Sequence, residues 1–449
     1  MEQKHAKYGL GMTVIGSIFF IFGFATTFII TLSGQVKDIF ELTEFKAQLL
    51  SFSFFITYFF ISIPIGLYIK KIGYKSALIA GLLLMAAGSF LFFPAAKAPS
   101  FPLFLAATFV LASGVVFLQT AANPYVTALG SEASAGGRMN LVQALNSIAT
   151  MVAPWIIAVF IFRGASEMLT SMQKAETVQM PFVIIGVIVV LVAIAIALIK
   201  LPEVGGGTDQ LKKSVWKHPH VLLGALGIFF YVGAEVGTGG LILNYLKTTQ
   251  LMEPVVAAKY VAIYWGGAMI GRFFGSIMLS NITDNVKKYS YAALVLLLAL
   301  VSGSFVTDWS WNIGLIFMLV AVGNFIFMQL GKGNAGRSLA VFALLAAVLA
   351  IVTAFTSGSI ALWAVVSIGM FNSIMFPNIF TLAVKDLDPG ELSTASGIIN
   401  TLIFGGAIIP LVMGKIADVS GYSWAFIVPA VCYLYIFFYA VKGCKFRSA

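Results

Sequence analysis

Charge is what this 449-residue chain has least of. Only 10% of its residues are Asp, Glu, Lys or Arg, against roughly 25% in an average globular domain. A soluble fold could not cover its surface with that composition. Cysteine is nearly absent: Cys432 and Cys444 lie on or just beyond the last apolar run, which excludes a disulfide framework and a cysteine-based metal centre. The three histidines, His5, His218 and His220, are read as surface loop residues. Of the 17 acidic side chains, Glu235 alone falls near the middle of an apolar run. Nothing forms a phosphate-binding glycine loop, a metal cluster or a nucleophile–base pair, so no enzyme is expected.

Apolar side chains are what the chain has instead. They make up 60% of it, with a mean hydropathy of +0.99. Fourteen runs have the length of about 20 residues that crosses a hydrocarbon layer roughly 30 Å thick. The expected fold is an all-α polytopic membrane protein. The apolar run after the basic N-terminus continues to Ile30, too long for a secretory leader, and no small-residue cleavage site follows. Counting from an inside N-terminus, eighteen of the 27 basic residues fall on that side and eight on the other, with Arg272 inside a run. Both termini are therefore expected to be cytoplasmic. The net charge of +10 is an orientation signal, and no nucleic-acid partner is implied.

The chain repeats itself. Phe22-Gly23-Phe24 resembles Val232-Gly233-Ala234 at an offset of 210, and Gly66 matches Gly275 at 209. Asn123-Pro124-Tyr125 matches Phe376-Pro377-Asn378 at 253. Each proline has an asparagine downstream, Asn146 after 22 residues and Asn400 after 23. The offset lengthens by 44 residues between the second and third matches, enough for two tightly connected spans. The reading is a six-helix half over 1–201, a cytoplasmic linker over 202–219, and a second half over 220–449 with an inserted helical hairpin at about 289–329. That hairpin contains no mid-span charge, so it is expected to pack peripherally, outside any ligand path. Parallel repeats of six spans around a midplane site describe the major facilitator architecture.

The stretch from Gln119 to Asn146 carries the chemistry. Gln119 and Asn123 are four apart and share a helix face; Gln143 and Asn146 are three apart and share another. Amides donate and accept at once, as a neutral polyhydroxylated ligand requires. Any one of them serves equally as interhelical glue, but four on two successive spans favour a cavity. Asn372 and Asn400 are their weaker counterparts in the second half. Glu235 must be protonated, ion-paired or cation-bound if it is buried in the bilayer, and hydrogen-bonding to a neighbouring helix is the plainer alternative. Arg272 lies in a Gly267, Gly271, Gly275 ridge that reads as close helix packing. Tyr264, Trp265 and Phe376 are suited to stacking on a sugar ring, although such aromatics are more often packing residues.

The segments Leu118-Gln119-Thr120-Ala121-Ala122-Asn123-Pro124-Tyr125 and Arg138-Met139-Asn140-Leu141-Val142-Gln143-Ala144-Leu145-Asn146 resemble the fucose–proton symporter family of major facilitators. Tyr231-Val232-Gly233-Ala234-Glu235 and Phe371-Asn372-Ser373-Ile374-Met375-Phe376-Pro377 are similar to its glucose/galactose branch. The resemblance implies import of a monosaccharide or amino sugar with H⁺ or Na⁺, no cofactor, and a monomer in a bacterial inner membrane. It places Gln143 and Asn146 on sugar-contacting positions. The pattern departs at two points: the symporter's carboxylates fall on Ile30 and Gln119 here. Lys70 stands where many facilitators carry an aspartate in the gating loop. Glu235 is left as the candidate for coupling. A multidrug/proton antiporter is the alternative within transport, although its extra helices usually separate the halves. A membrane sugar sensor is the alternative outside it, although no signalling domain is appended.

Overall fold

The computed structural model describes residues 2–129, 135–162, 171–199, 201, 217–278, 284–332, 334–385, 387, 395 and 397–445. Most of the expected linker, the side chain of Arg138 and most of the 385–391 turn lie outside them. Among the described residues, fourteen helices are long and apolar enough to cross a membrane. In chain order they are α1 (Gly11–Phe40), α2 (Glu44–Ile65), α3 (Lys71–Lys97), α4 (Phe101–Asn123), α5 (Val142–Val159), α6 (Ala175–Leu198) and α7 (Pro219–Thr249). There follow α8 (Pro254–Met278), α9 (Asn285–Val306), α10 (Trp311–Leu330), α11 (Ala335–Phe355), α12 (Gly358–Ala383), α13 (Gly397–Ser420) and α14 (Tyr422–Lys445). Helix is the answer the bilayer forces, because each backbone polar group finds its partner within its own segment.

The chain divides into two compact units: Met1–Leu42 with Leu49–Asp209, and Thr43–Gln48 with Gln210–Ala449. In the first unit α1 lies along α5, and α2–α3 run along α4 and α6. α2 passes into α3 at Gly73, whose φ of 77° is open to glycine and strained for other residues. In the second unit α7 lies along α13, and α11 along α14. These are the first-with-fifth and third-with-sixth pairings of the first unit, once α9 and α10 are left out of the count. The hairpin is thus an insertion after the eighth span, where the change of repeat offset put it.

Burial separates central helices from peripheral ones. Within their apolar windows α12, α8 and α7 are 78%, 72% and 67% buried, whereas α9 and α10 are each 33% buried. Exposed Leu294, Leu297 and Leu319 give the hairpin a lipid-compatible face. Close approaches rest on small residues: a Cβ on Gly369 of α12 would overlap the Tyr264 carbonyl of α8. α12 itself is two pieces, Gly358–Asn372 and Met375–Ala383. Pro377 stands in the first turn of the second piece, where a missing N–H is tolerated.

Candidate functional site

The break in α12 leaves Asn372 at the end of a helix, midway along its span and fully buried. Around it the second unit assembles a polar network from four helices. Tyr231 and Glu235, one turn apart on α7, are joined by a 2.8 Å hydrogen bond from the tyrosine hydroxyl to Glu235 Oε1. Tyr264 of α8 donates to the Glu235 backbone carbonyl at 2.9 Å, and Asn372 Nδ2 donates to the Tyr264 hydroxyl at 3.1 Å. Arg272, also on α8, acts electrostatically on Glu235 and Tyr231. The Tyr433 hydroxyl of α14 faces Asn372 and Thr238.

Four buried polar atoms in this cluster have no hydrogen-bond partner among the described residues: Thr238 Oγ1, Trp265 Nε1, Asn372 Oδ1 and Tyr433 Oη. One such atom costs about 1–3 kcal/mol; Tyr433 Oη lies near enough to Asn372 and Thr238 for small shifts to join these three, while Trp265 Nε1 has no partner among the described residues. Donors (indole, hydroxyls) and acceptors (amide oxygen, carboxylate) are both present. The set fits either a hydroxylated ligand or a small cation held by oxygens.

The first-unit amides are brought together only in part. Gln119 Oε1 accepts a hydrogen bond from Tyr58 of α2 at 2.9 Å. Asn123, one turn on, has its buried Oδ1 without a partner among the described residues. Gln143 is half-buried on α5. Asn146 donates through Nδ2 to the Phe19 carbonyl of α1 at 3.0 Å and fills the space opposite Gly23. In this structure its donor therefore serves helix packing. Asn400 is half-buried near the start of α13, and among the described residues it makes no hydrogen bond to the Glu235 network.

Other residues stand differently from their sequence reading. His220 is buried inside α7, 1% exposed, with Nε2 3.1 Å from the Lys385 carbonyl, because the helix begins one residue before it. Glu44 is a second buried carboxylate, 1% exposed, whose Oε1 accepts from Asn244 Nδ2 at 2.8 Å and from Tyr422 at 2.5 Å. Asp418 accepts from the backbone N–H groups of Glu44 and Phe45 at 2.7 and 2.9 Å, so Thr43–Gln48 is fastened to α7, α13 and α14. Thr238 and Tyr433 also escaped the sequence reading. Thr238 had a signal, being three residues from Glu235 on the same helix face; Tyr433, nearly 200 residues later, had none.

Residues 14–331 match the Major Facilitator Superfamily. The chain is a member of that superfamily. Among its relatives in the superfamily is the glucose/galactose transporter of Brucella abortus, 38% identical over 99% of this chain and 96% of that protein. The L-fucose-proton symporter of Escherichia coli is 30% identical over 98% of this chain and 94% of its own length. A crystal structure of the facilitator FucP in the outward conformation superposes with a TM-score of 0.65 at 29% identity, covering 97% of this chain and 98% of that one. Against a superfamily plan of two six-helix repeats, α9–α10 stand out as the addition.

Proposed function

We propose that this facilitator imports a monosaccharide together with a cation by alternating access. Glu235 is the coupling residue and Asn372 holds a sugar hydroxyl; Gln119, Asn123 and Gln143 are the first unit's own candidates for sugar contact. One observation carries the reading: a mid-span carboxylate lies within a buried cluster of hydroxyl, indole and amide groups, several of whose polar atoms have no hydrogen-bond partner among the described residues. An isolated intramembrane acid is expensive and marks a functional place. A ligand rich in hydroxyls would satisfy the unpartnered atoms at a gain of about 1 kcal/mol each. The names of the relatives support a hexose or deoxyhexose as substrate.

The basic-residue asymmetry supports an orientation with both termini cytoplasmic, the 202–219 linker on that side, and insertion in the bacterial inner membrane. H⁺ and Na⁺ both fit Glu235: one by protonating it, the other by binding it with hydroxyl and amide oxygens. Counterflow of labelled D-glucose, D-galactose, L-fucose or an amino sugar into proteoliposomes preloaded with the same unlabelled sugar tests the reading. Exchange of at least one sugar, abolished in Asn372→Ala, is the expected result; exchange of none contradicts it.

A further inference from the structure

The middle of α10 is apolar except for one amide, Asn324, and that amide is fully buried. Its Nδ2 donates to the Met370 carbonyl of α12 at 3.1 Å. A carbonyl only accepts, so the nitrogen end must face it. Its Oδ1 has no hydrogen-bond partner among the described residues. Leucine would pack at such a position without the desolvation cost of a half-satisfied amide. What asparagine adds here is a hydrogen bond between helices, and the place of that bond matters.

Met370 supplies the reason. It lies in the last turn of the first piece of α12, where carbonyls lose their intrahelical donors. Ser373 Oγ gives this same carbonyl a second hydrogen bond at 2.8 Å. The glycine ridge of α8 also packs against the break. A Cβ on Gly267 would come within 2.8 Å of the Met370 nitrogen, and one on Gly275 within 2.9 Å of Ile374. The break is therefore held by both α8 and α10, two residues from Asn372, whose amide meets Tyr264 and through it the Glu235 backbone.

We propose that the inserted hairpin is a positioning element of the polar site, in which Asn324 fixes the broken end of α12 and so sets how Asn372 meets Tyr264 and the ligand. The peripheral placement expected from the sequence holds for the hairpin's lipid face, and Asn324 is the exception to its isolation. For its transport readout the proposal rests on the sugar-transport reading. A separate attachment supplies the control: Lys259 of α8 is paired with Asp308 in the turn between α9 and α10, away from the α12 break.

The test uses full-length protein in proteoliposomes, with D-glucose, D-galactose and L-fucose as probes. Asn324→Leu is expected to raise KM about tenfold, the factor for one lost buried polar contact, with Vmax within about twofold. It is also expected to speed hydrogen exchange of the 373–378 amides. Asp308→Asn loosens the hairpin without touching α12 and is expected to change neither reading. Unaltered KM and exchange in Asn324→Leu, or equal effects from Asp308→Asn, would overturn the proposal. If Asn324→Leu fails to insert, Asn324→Ser keeps a weaker donor and must raise KM by an intermediate factor; no rise overturns the proposal. Should the wild type carry none of the three sugars, the transport reading fails, and the exchange measurement alone decides the role of Asn324.

Discussion

Asn146 and Gln143 sit one turn apart on α5, yet they are expected to fail in different ways when mutated. The Asn146 donor is committed to the Phe19 carbonyl, so Asn146→Leu removes a buried bond between α1 and α5. The expected loss is about 1–3 kcal/mol of stability, read as a lower midpoint of thermal unfolding in detergent. Gln143→Ala is expected to leave that midpoint in place and weaken sugar binding by about tenfold, read by titration calorimetry. The reverse pattern would return Asn146 to the sugar and Gln143 to the packing. Sequence alone could not separate them. An asparagine shows its capacity to bond, but its partner here is a backbone carbonyl, and every residue offers one. Glu235 is the contrasting case: its isolation in an apolar run was visible, and Tyr231 four residues earlier is a neighbour that helix geometry requires.

Among the elements, α8 and α12 approach most closely around Gly369. A Cβ there would meet the Tyr264 backbone oxygen, which cannot move aside as a side chain would. Gly369→Ala is therefore expected to force the two helices apart at a cost of about 1–3 kcal/mol or more. The yield of monodisperse protein should fall well below wild type, and a normal yield with normal transport would contradict this packing. The Thr43–Gln48 segment makes a second case. Glu44→Ala would leave buried Asn244 and half-buried Tyr422 without their shared acceptor. The expected cost is about 2–3 kcal/mol, in the range for hydrogen bonds to a charged group; thermal unfolding measures it, and an unchanged midpoint would refute the role given to Glu44. The spans and the hairpin were legible because the bilayer fixes their length and hydropathy, and because the Gly23, Gly66 and Pro124 positions recur. The docking of Glu44 was not legible. A carboxylate in a short polar connection looks solvated until Asn244, Asp418 and Tyr422, far along the chain, are seen around it.

At the scale of the whole molecule, the proposed mechanism has one carboxylate couple sugar movement to an ion gradient. Ile30 and Gln119 stand where the resemblance to the fucose–proton symporter family places its acids, so the proposed coupling needs another group. Glu235 is buried at mid-span beside Tyr231, Tyr264 and Arg272. Glu235→Gln keeps the shape and an acceptor for Tyr231 but neither ionises nor carries a charge for a cation. The decisive measurement compares this variant with wild type in proteoliposomes, following both uphill accumulation and counterflow of the transported sugar under an imposed proton gradient and then an imposed sodium gradient. Glu235→Gln is expected to lose accumulation under both gradients while keeping a measurable part of counterflow. Accumulation at the wild-type level under the gradient that drives the wild type would show that Glu235 is not the coupling residue.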